Sequence, residues 1–354
     1  MKRHDYLYIG DGFDNTVKTF DAESGRFLGN FVPSGDNGLN GPRGLIFDHN
    51  GNLLVTNQNV LPPPPPAPQN GSILKYDAHT GQFQGFLVSP NDPNAPFAPR
   101  GIVLSKQNIL FVADTIVETE LNGEVRTYDG TTGMFQGNLE HPPGVQFFPR
   151  SVVIGQDGLL YVSVRNNPTT AEGQLGGRVV RYNSKTREFI DVFIEGDSIP
   201  DFNRPEGLVF GPDGNLYITS FRRNANDTDK ILIFDGRKGR LLDKIDLDVV
   251  GQPRAFAQAI LFGPNGKLFV PITGQGPAVT GDPLGPDTGS VRRYNVKTKK
   301  FEVFVRPALL GGPLTEPWYL TFGKTDPATL AYGHDKEGRK RSDHDQPHDD
   351  ESSD

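Results

Sequence analysis

The chain has no cysteine, which excludes disulfides, thiolate nucleophiles and cysteine-ligated zinc together. It has no apolar run long enough to cross a bilayer, and its basic start, "MKRHDYLYIGDG", lacks the apolar stretch of a signal peptide. Read as complete, such a chain is expected in the cytoplasm. Read as the remainder after removal of a leader, it is expected outside it, so the compartment stays open. The net charge is −7 and the body contains no basic block, which argues against nucleic acid and against a membrane surface as partners. Ser-His-Asp spacing, a phosphate loop and a His-x-x-His pair are also missing.

What is abundant is punctuation. Glycine (42) and proline (30) break the 354 residues into short runs rich in Val, Ile, Phe and Tyr, the composition of an all-β chain. Two phrases then alternate. The first is an apolar run, a polar turn and a second apolar run: "RGLIFDHNGNLLVTN" (43–57), "RGIVLSKQNILFVAD" (100–114), "RSVVIGQDGLLYVSV" (150–164), "EGLVFGPDGNLYITS" (206–220) and "QAILFGPNGKLFVPI" (258–272). The second is an aromatic, Asp or Asn, a polar turn and Phe or Leu, as in "YDAHTGQFQGFL" and "YNVKTKKFEVFV". Each phrase reads as a β-hairpin. Two hairpins in each period of roughly 50 residues make four strands per unit, the signature of a propeller blade.

The count predicts six blades of four antiparallel strands over residues 1–333. The sixth blade is split: "WYLTFG" (318–323) supplies its first strand and the N-terminal "YLYIGDG" (6–12) its second, with "TLAYG" (329–333) competing for that second place. Residues 334–354 are highly charged and almost free of apolar side chains, and are expected to be a disordered tail. The proline-rich "NVLPPPPPAPQNG" (59–71) reads as a stiff rim spacer or a contact for a protein partner. Longer loops at equivalent places, 165–177 and 274–289, gather on the same face, which is the usual binding side of such scaffolds.

Strand direction brings two sets of positions to one mouth of the central channel. The starts of the first strands carry Arg43, Arg100, Arg150, Glu206, Gln258 and Trp318. The ends of the second strands carry Asn57, Asp114, Arg165, Ser220, Thr273 and Asp11. Polar groups converging on a concave mouth make a candidate ligand site. The repeated Pro-Arg has two readings: a consensus residue that bonds the preceding loop or a neighbour's Asp, or a pocket that holds an anionic small molecule. The departure to Glu, Gln and Trp in three blades leans towards a pocket. A metal-free enzyme built there would use the arginines to hold an anionic or leaving group, with Asp114, Glu206 or a tyrosine as base.

"FGPDGNLYITS" and "FGPNGKLFVPI" resemble the NHL and SMP-30/gluconolactonase/LRE-like six-bladed propellers, and more loosely the streptogramin B lyases, over about residues 6–323. The first resemblance implies a hydrolase or lactonase with a divalent metal, usually Ca²⁺, in the channel. Its ligands here would be Glu206, Asn57, Asp114 and Asp11, with the arginines orienting an anionic substrate. The lyase resemblance implies histidines and a glutamate around magnesium, but the strand starts hold no histidine, and His141 is the one loop histidine near that face. A non-enzymatic binding or scaffolding propeller of NHL type, and a metal-free lyase or alkylating enzyme, are the alternatives.

Overall fold

A computed structural model describes residues 4–59, 70–115, 122–144, 146–166, 176–274 and 284–333. The core of the proline-rich spacer, parts of the two rim loops and the charged tail, with the expectations attached to them, lie outside the described residues. The described chain forms six four-stranded antiparallel sheets in a ring, a β-propeller. Blade one runs from Pro42 to Val88, and blades two to four begin at Pro99, Phe148 and Arg204. Blade six joins Pro317–Phe322 to Tyr6–Asp11, Thr16–Asp21 and Phe27–Val32, with Ile9 opposite Leu320 and Leu7 opposite Phe322. The N-terminus therefore supplies the second strand of the closing blade.

Inner strands are covered by neighbouring blades on both faces, so their runs are buried without alternation; Leu53, Leu54 and Val55 are all fully buried. Hydroxyls stitch blade to blade. Thr56 Oγ1 donates to the Arg100 carbonyl at 2.8 Å, Thr115 Oγ1 to that of Pro149 at 3.0 Å, and Thr273 Oγ1 to that of Pro317 at 2.6 Å.

The outer hairpins share one turn. Asp77 accepts from the amides of His79 and Thr80 and from the Thr80 hydroxyl, and Gly81 follows at φ 71°. Gly25, Gly133 and Gly239 take the same place at φ 72°, 74° and 65°, and Arg187 and Lys299 replace them at φ 69° and 59°. The left-handed conformation is natural for glycine and costly for the other two.

"DPATL" (326–330) folds into the same turn a seventh time. Asp326 accepts from the amides of Ala328 and Thr329 and from the Thr329 hydroxyl, and Leu330 stands at the glycine position with φ 53°. Carbonyls of Pro327 and Ala328 accept from the amides of Leu104 and Ile154 in the first strands of blades two and three. Leu330 packs against core clusters contributed by all six blades and lines a residual cavity of about 30 Å³ in the channel. The segment "TLAYG" is thus a plug across the far end of the channel, not a rival strand, because its turn carries it under the ring.

Blade five departs from the others. Its first strand is reduced to Leu261–Phe262, although the repeat predicts a strand from 258. Where the other blades have proline just before the channel position (Pro42, Pro99, Pro149, Pro205 and Pro317), it has Ala257, and Phe256 before it sits at φ 48°, so the chain leaves the ladder there.

Candidate functional site

The repeated Pro-Arg marks a β-bulge. Pro42 pairs with Asn57 and Leu45 with Val55, so Arg43 and Gly44 together face Thr56 alone. The same extra residue occurs at Arg100–Gly101, at Arg150, at Glu206–Gly207 and at Trp318. A bulge bends its strand and re-aims a side chain, and in these five blades it turns one side chain out of the sheet, toward the channel. The bulge is the structural rule. The identity of the side chain is free, and that freedom builds the site.

Glu206 lies at the centre, 1% exposed. Its Oε2 is 3.2 Å from Arg100 Nη1, and its Oε1 pairs with Arg150 Nε at 3.5 Å and with Arg165 Nη2. Arg100 Nη1 also donates to Gln258 Oε1 at 2.7 Å. Arg43 donates from Nε to Gln58 Oε1 at 2.7 Å and stacks its guanidinium on the Trp318 ring. Burial alone would raise the pKa of Glu206, but Arg165, Arg150, Arg100 and Arg43 hold it below the ordinary glutamate value. It is a fixed anion, and a poor base.

Burial depresses the pKa of Arg43, Arg150 and Arg165, with the neighbouring guanidiniums adding to the effect. Arg43 and Arg165 fall well below the usual arginine value and Arg150 falls to about 10. Guanidiniums still remain charged at neutral pH. Four of them surround one carboxylate. Adding Glu316, which lies in the field of Arg43, still leaves two positive charges uncompensated in a chain whose net charge is −7.

Tyr319 was not among the residues that sequence pointed to. The residue after each channel position is Gly44, Gly101, Ser151, Gly207 or Ala259 in five blades and Tyr319 in the sixth. Its side chain lies within the ring of arginines, and among the described residues its buried hydroxyl has no hydrogen-bond partner, nor has Arg43 Nη1. Burial, reinforced by Glu206 and opposed by the arginines, pushes the phenol up to about 12. It is a neutral hydrogen-bond donor.

The second-strand ends behave differently. Asp11 accepts the amides of Thr315 and Glu316 at 2.9 and 3.0 Å and the Lys18 ammonium at 2.8 Å. Asp114 accepts those of Phe97 and Ala98 at 2.9 and 2.7 Å, and Arg126 Nε at 2.7 Å. Asn57 accepts the Asn40 amide at 2.7 Å and donates to the Gly38 carbonyl at 3.0 Å. The Ser220 hydroxyl receives the Asn203 amide at 3.2 Å. Each grips the loop that leads into its own blade's first strand, where buried amides need acceptors. Of this set only Arg165 reaches Glu206. His141 faces Glu124 at 3.2 Å and takes no part in the ring.

A divalent cation therefore does not fit. The Glu206 oxygens are held by arginines, and the oxygens of Asp11, Asn57 and Asp114 are committed to amides and cations of their own blades. Among the described residues no group of three or more His, Asp or Glu side chains is placed to hold a metal ion.

Outside the ring, Phe221 lies between two guanidiniums, Arg165 at 4.6 Å and Arg254 at 5.1 Å from its centroid. Phe256 is tilted over it, with centroids 4.3 Å apart and planes at 30°. Arg254 in turn is paired with buried Asp229 at 2.6 Å.

No protein-family model matches the chain, and no curated protein sequence does. Solved structures do match. The periplasmic gluconolactonase PpgL of Pseudomonas aeruginosa is 18% identical, with 90% of this chain and 99% of that one covered and a TM-score of 0.55. The gluconolactonase XC5397 of Xanthomonas campestris is 16% identical over 75% of this chain and 77% of that one, with a TM-score of 0.51. A luciferin-regenerating enzyme is 14% identical over 75% and 79%, also at 0.51. The likeness is one of fold.

Proposed function

We propose that the protein binds a small organic anion, a carboxylate, at the mouth of the channel. The observation that carries this reading is the buried excess of guanidinium over carboxylate around Glu206, with an unpartnered Arg43 Nη1 and an unpartnered Tyr319 hydroxyl beside it. Unpaired buried donors are costly unless a ligand accepts from them, and planar guanidiniums match a carboxylate in two-point geometry. Gln258 supplies a neutral donor or acceptor at the same rim.

The hydrolase reading extends this one. Opening a lactone with water yields a hydroxy-carboxylate by way of an oxyanion, and arginines with a neutral phenol are donors suited to both species. The gluconolactonases among the structural neighbours support the lactonase direction only through their shared fold. The metal-assisted form of the reaction has no support in the donor set, so in this protein the ring itself would supply the electrostatic stabilisation.

Isothermal titration calorimetry with gluconate, acetate and malonate tests the binding reading. At least one should bind, more weakly as salt rises. Arg100→Ala should weaken it about tenfold or more while shifting the melting temperature little, because Glu206 keeps two other partners. Tyr319→Phe should cost about threefold to tenfold in affinity and leave stability equal or slightly higher. If no carboxylate binds, or if Arg100→Ala binds as the parent does, the reading fails.

A further inference from the structure

Phe256 is the feature that the anion site leaves unexplained. Nine non-glycine residues have positive φ among the described residues. Five are asparagines, which tolerate that conformation, and Arg187, Lys299 and Leu330 occupy the glycine place of the shared outer turn. Phe256 alone belongs to neither group. A bulky aromatic in the left-handed region persists only when its surroundings enforce it, and such residues cluster at functional sites.

The enforcement is visible. Asp229 Oδ2 accepts the Phe256 amide at 2.8 Å, Asp248 Oδ2 accepts the Ala255 amide at 2.9 Å, and Asp229 is itself clamped by Arg254. These bonds hold the one blade entrance that lacks its proline. Phe256 is half buried and stands two residues before Gln258 of the ring, with the Arg254 guanidinium 5.1 Å from its ring centroid. It is stacked on Phe221, whose face carries Arg165, a partner of Glu206.

We propose that the anion held by the arginine ring carries a planar unsaturated group, aromatic or conjugated, which lies against Phe256. The proposal rests on the anion reading and specifies its ligand further. An aromatic face beside a cationic floor favours a ligand that is flat at one end and negatively charged at the other, since offset ring stacking adds to simple burial. A saturated carboxylate would satisfy the arginines and leave that face unused.

The test uses benzoate and cyclohexanecarboxylate, which match in charge and ring size and differ in planarity. Trp318 is the chain's only tryptophan and lies in the ring, so its fluorescence reports occupancy without a label; calorimetry gives the affinities. Benzoate should bind about fivefold more tightly. Phe256→Leu, which keeps apolar volume and loses the aromatic face, should bring the ratio to about one while retaining cyclohexanecarboxylate binding. Equal affinities in the parent protein, or a ratio preserved in Phe256→Leu, would overturn the proposal and leave the anion site standing. Failure of both compounds to bind, with gluconate, acetate and malonate also inert, would remove the anion reading and this proposal together.

Discussion

The two ends of the central channel are made by the same six inner strands, yet one end collects charge and the other excludes it. At the mouth, bulges in four blades turn Arg43, Arg100, Arg150 and Glu206 inward, and Arg165 joins them from a second strand. At the far end the strands present Leu45, Ile102, Val152 and Leu208 to Leu330, and no charged side chain lines the cavity. Backbone geometry is what separates them. Regular pairing aims inner-strand side chains at the neighbouring blades, where they must be apolar. The extra residue of a bulge releases one side chain from that demand.

The largest effect is expected from removing the one charge that organises the mouth. Glu206→Gln leaves the buried arginines facing one another without their central carboxylate. Loss of one partner from a buried ion cluster costs about 3–5 kcal/mol, measurable by urea denaturation. Added sulfate should recover part of the loss in the variant and little in the parent. A variant as stable as the parent would show that the guanidiniums do not depend on Glu206.

At the other end the effects are smaller and separable. Leu330→Ala should lose about 2 kcal/mol from burial, and Leu330→Gly should regain about 1 kcal/mol of that by relieving positive φ. Neither should change carboxylate affinity by more than about twofold, provided that the ends are independent as sites. A tenfold change would show them to be coupled.

The smallest expected effect is a pH dependence beside the mouth. Burial, reinforced by the charge of Asp229, raises Asp248 to about 6. A carboxyl raised on folding stabilises the protein when protonated, so this contribution is present in full below the unfolded value of 3.8 and disappears as pH rises through about 6. Asp248→Asn should flatten the stability profile between those limits. An unchanged profile would place the titration elsewhere.

Much of the fold is legible in the sequence because each hairpin writes its own turn locally. The Asp-x-x-Thr-Gly turn and its relatives need no distant partner to be recognised. The channel positions were legible for the same reason, since repetition aligns them. What repetition does not reveal is how far a side chain at a strand end reaches. Asp114 pairs with Pro99, whereas Pro149 pairs with Val164, so Arg165 stands one residue past the matching place; Asp114 turns to two amides in its own blade, while Arg165 reaches Glu206. Tyr319 carried a signal, being one large residue where five blades have Gly, Ser or Ala. The plug carried one too, because "DPATL" repeats "DAHTG" with leucine in the glycine place.

Leu330 gives the channel a single door. A molecule that reaches the ring must leave by the way it came, so arrivals and departures exclude one another. Anything that rests in that doorway would compete with the proposed anion whether or not it resembles it, and a reaction performed there would be held back by its own product.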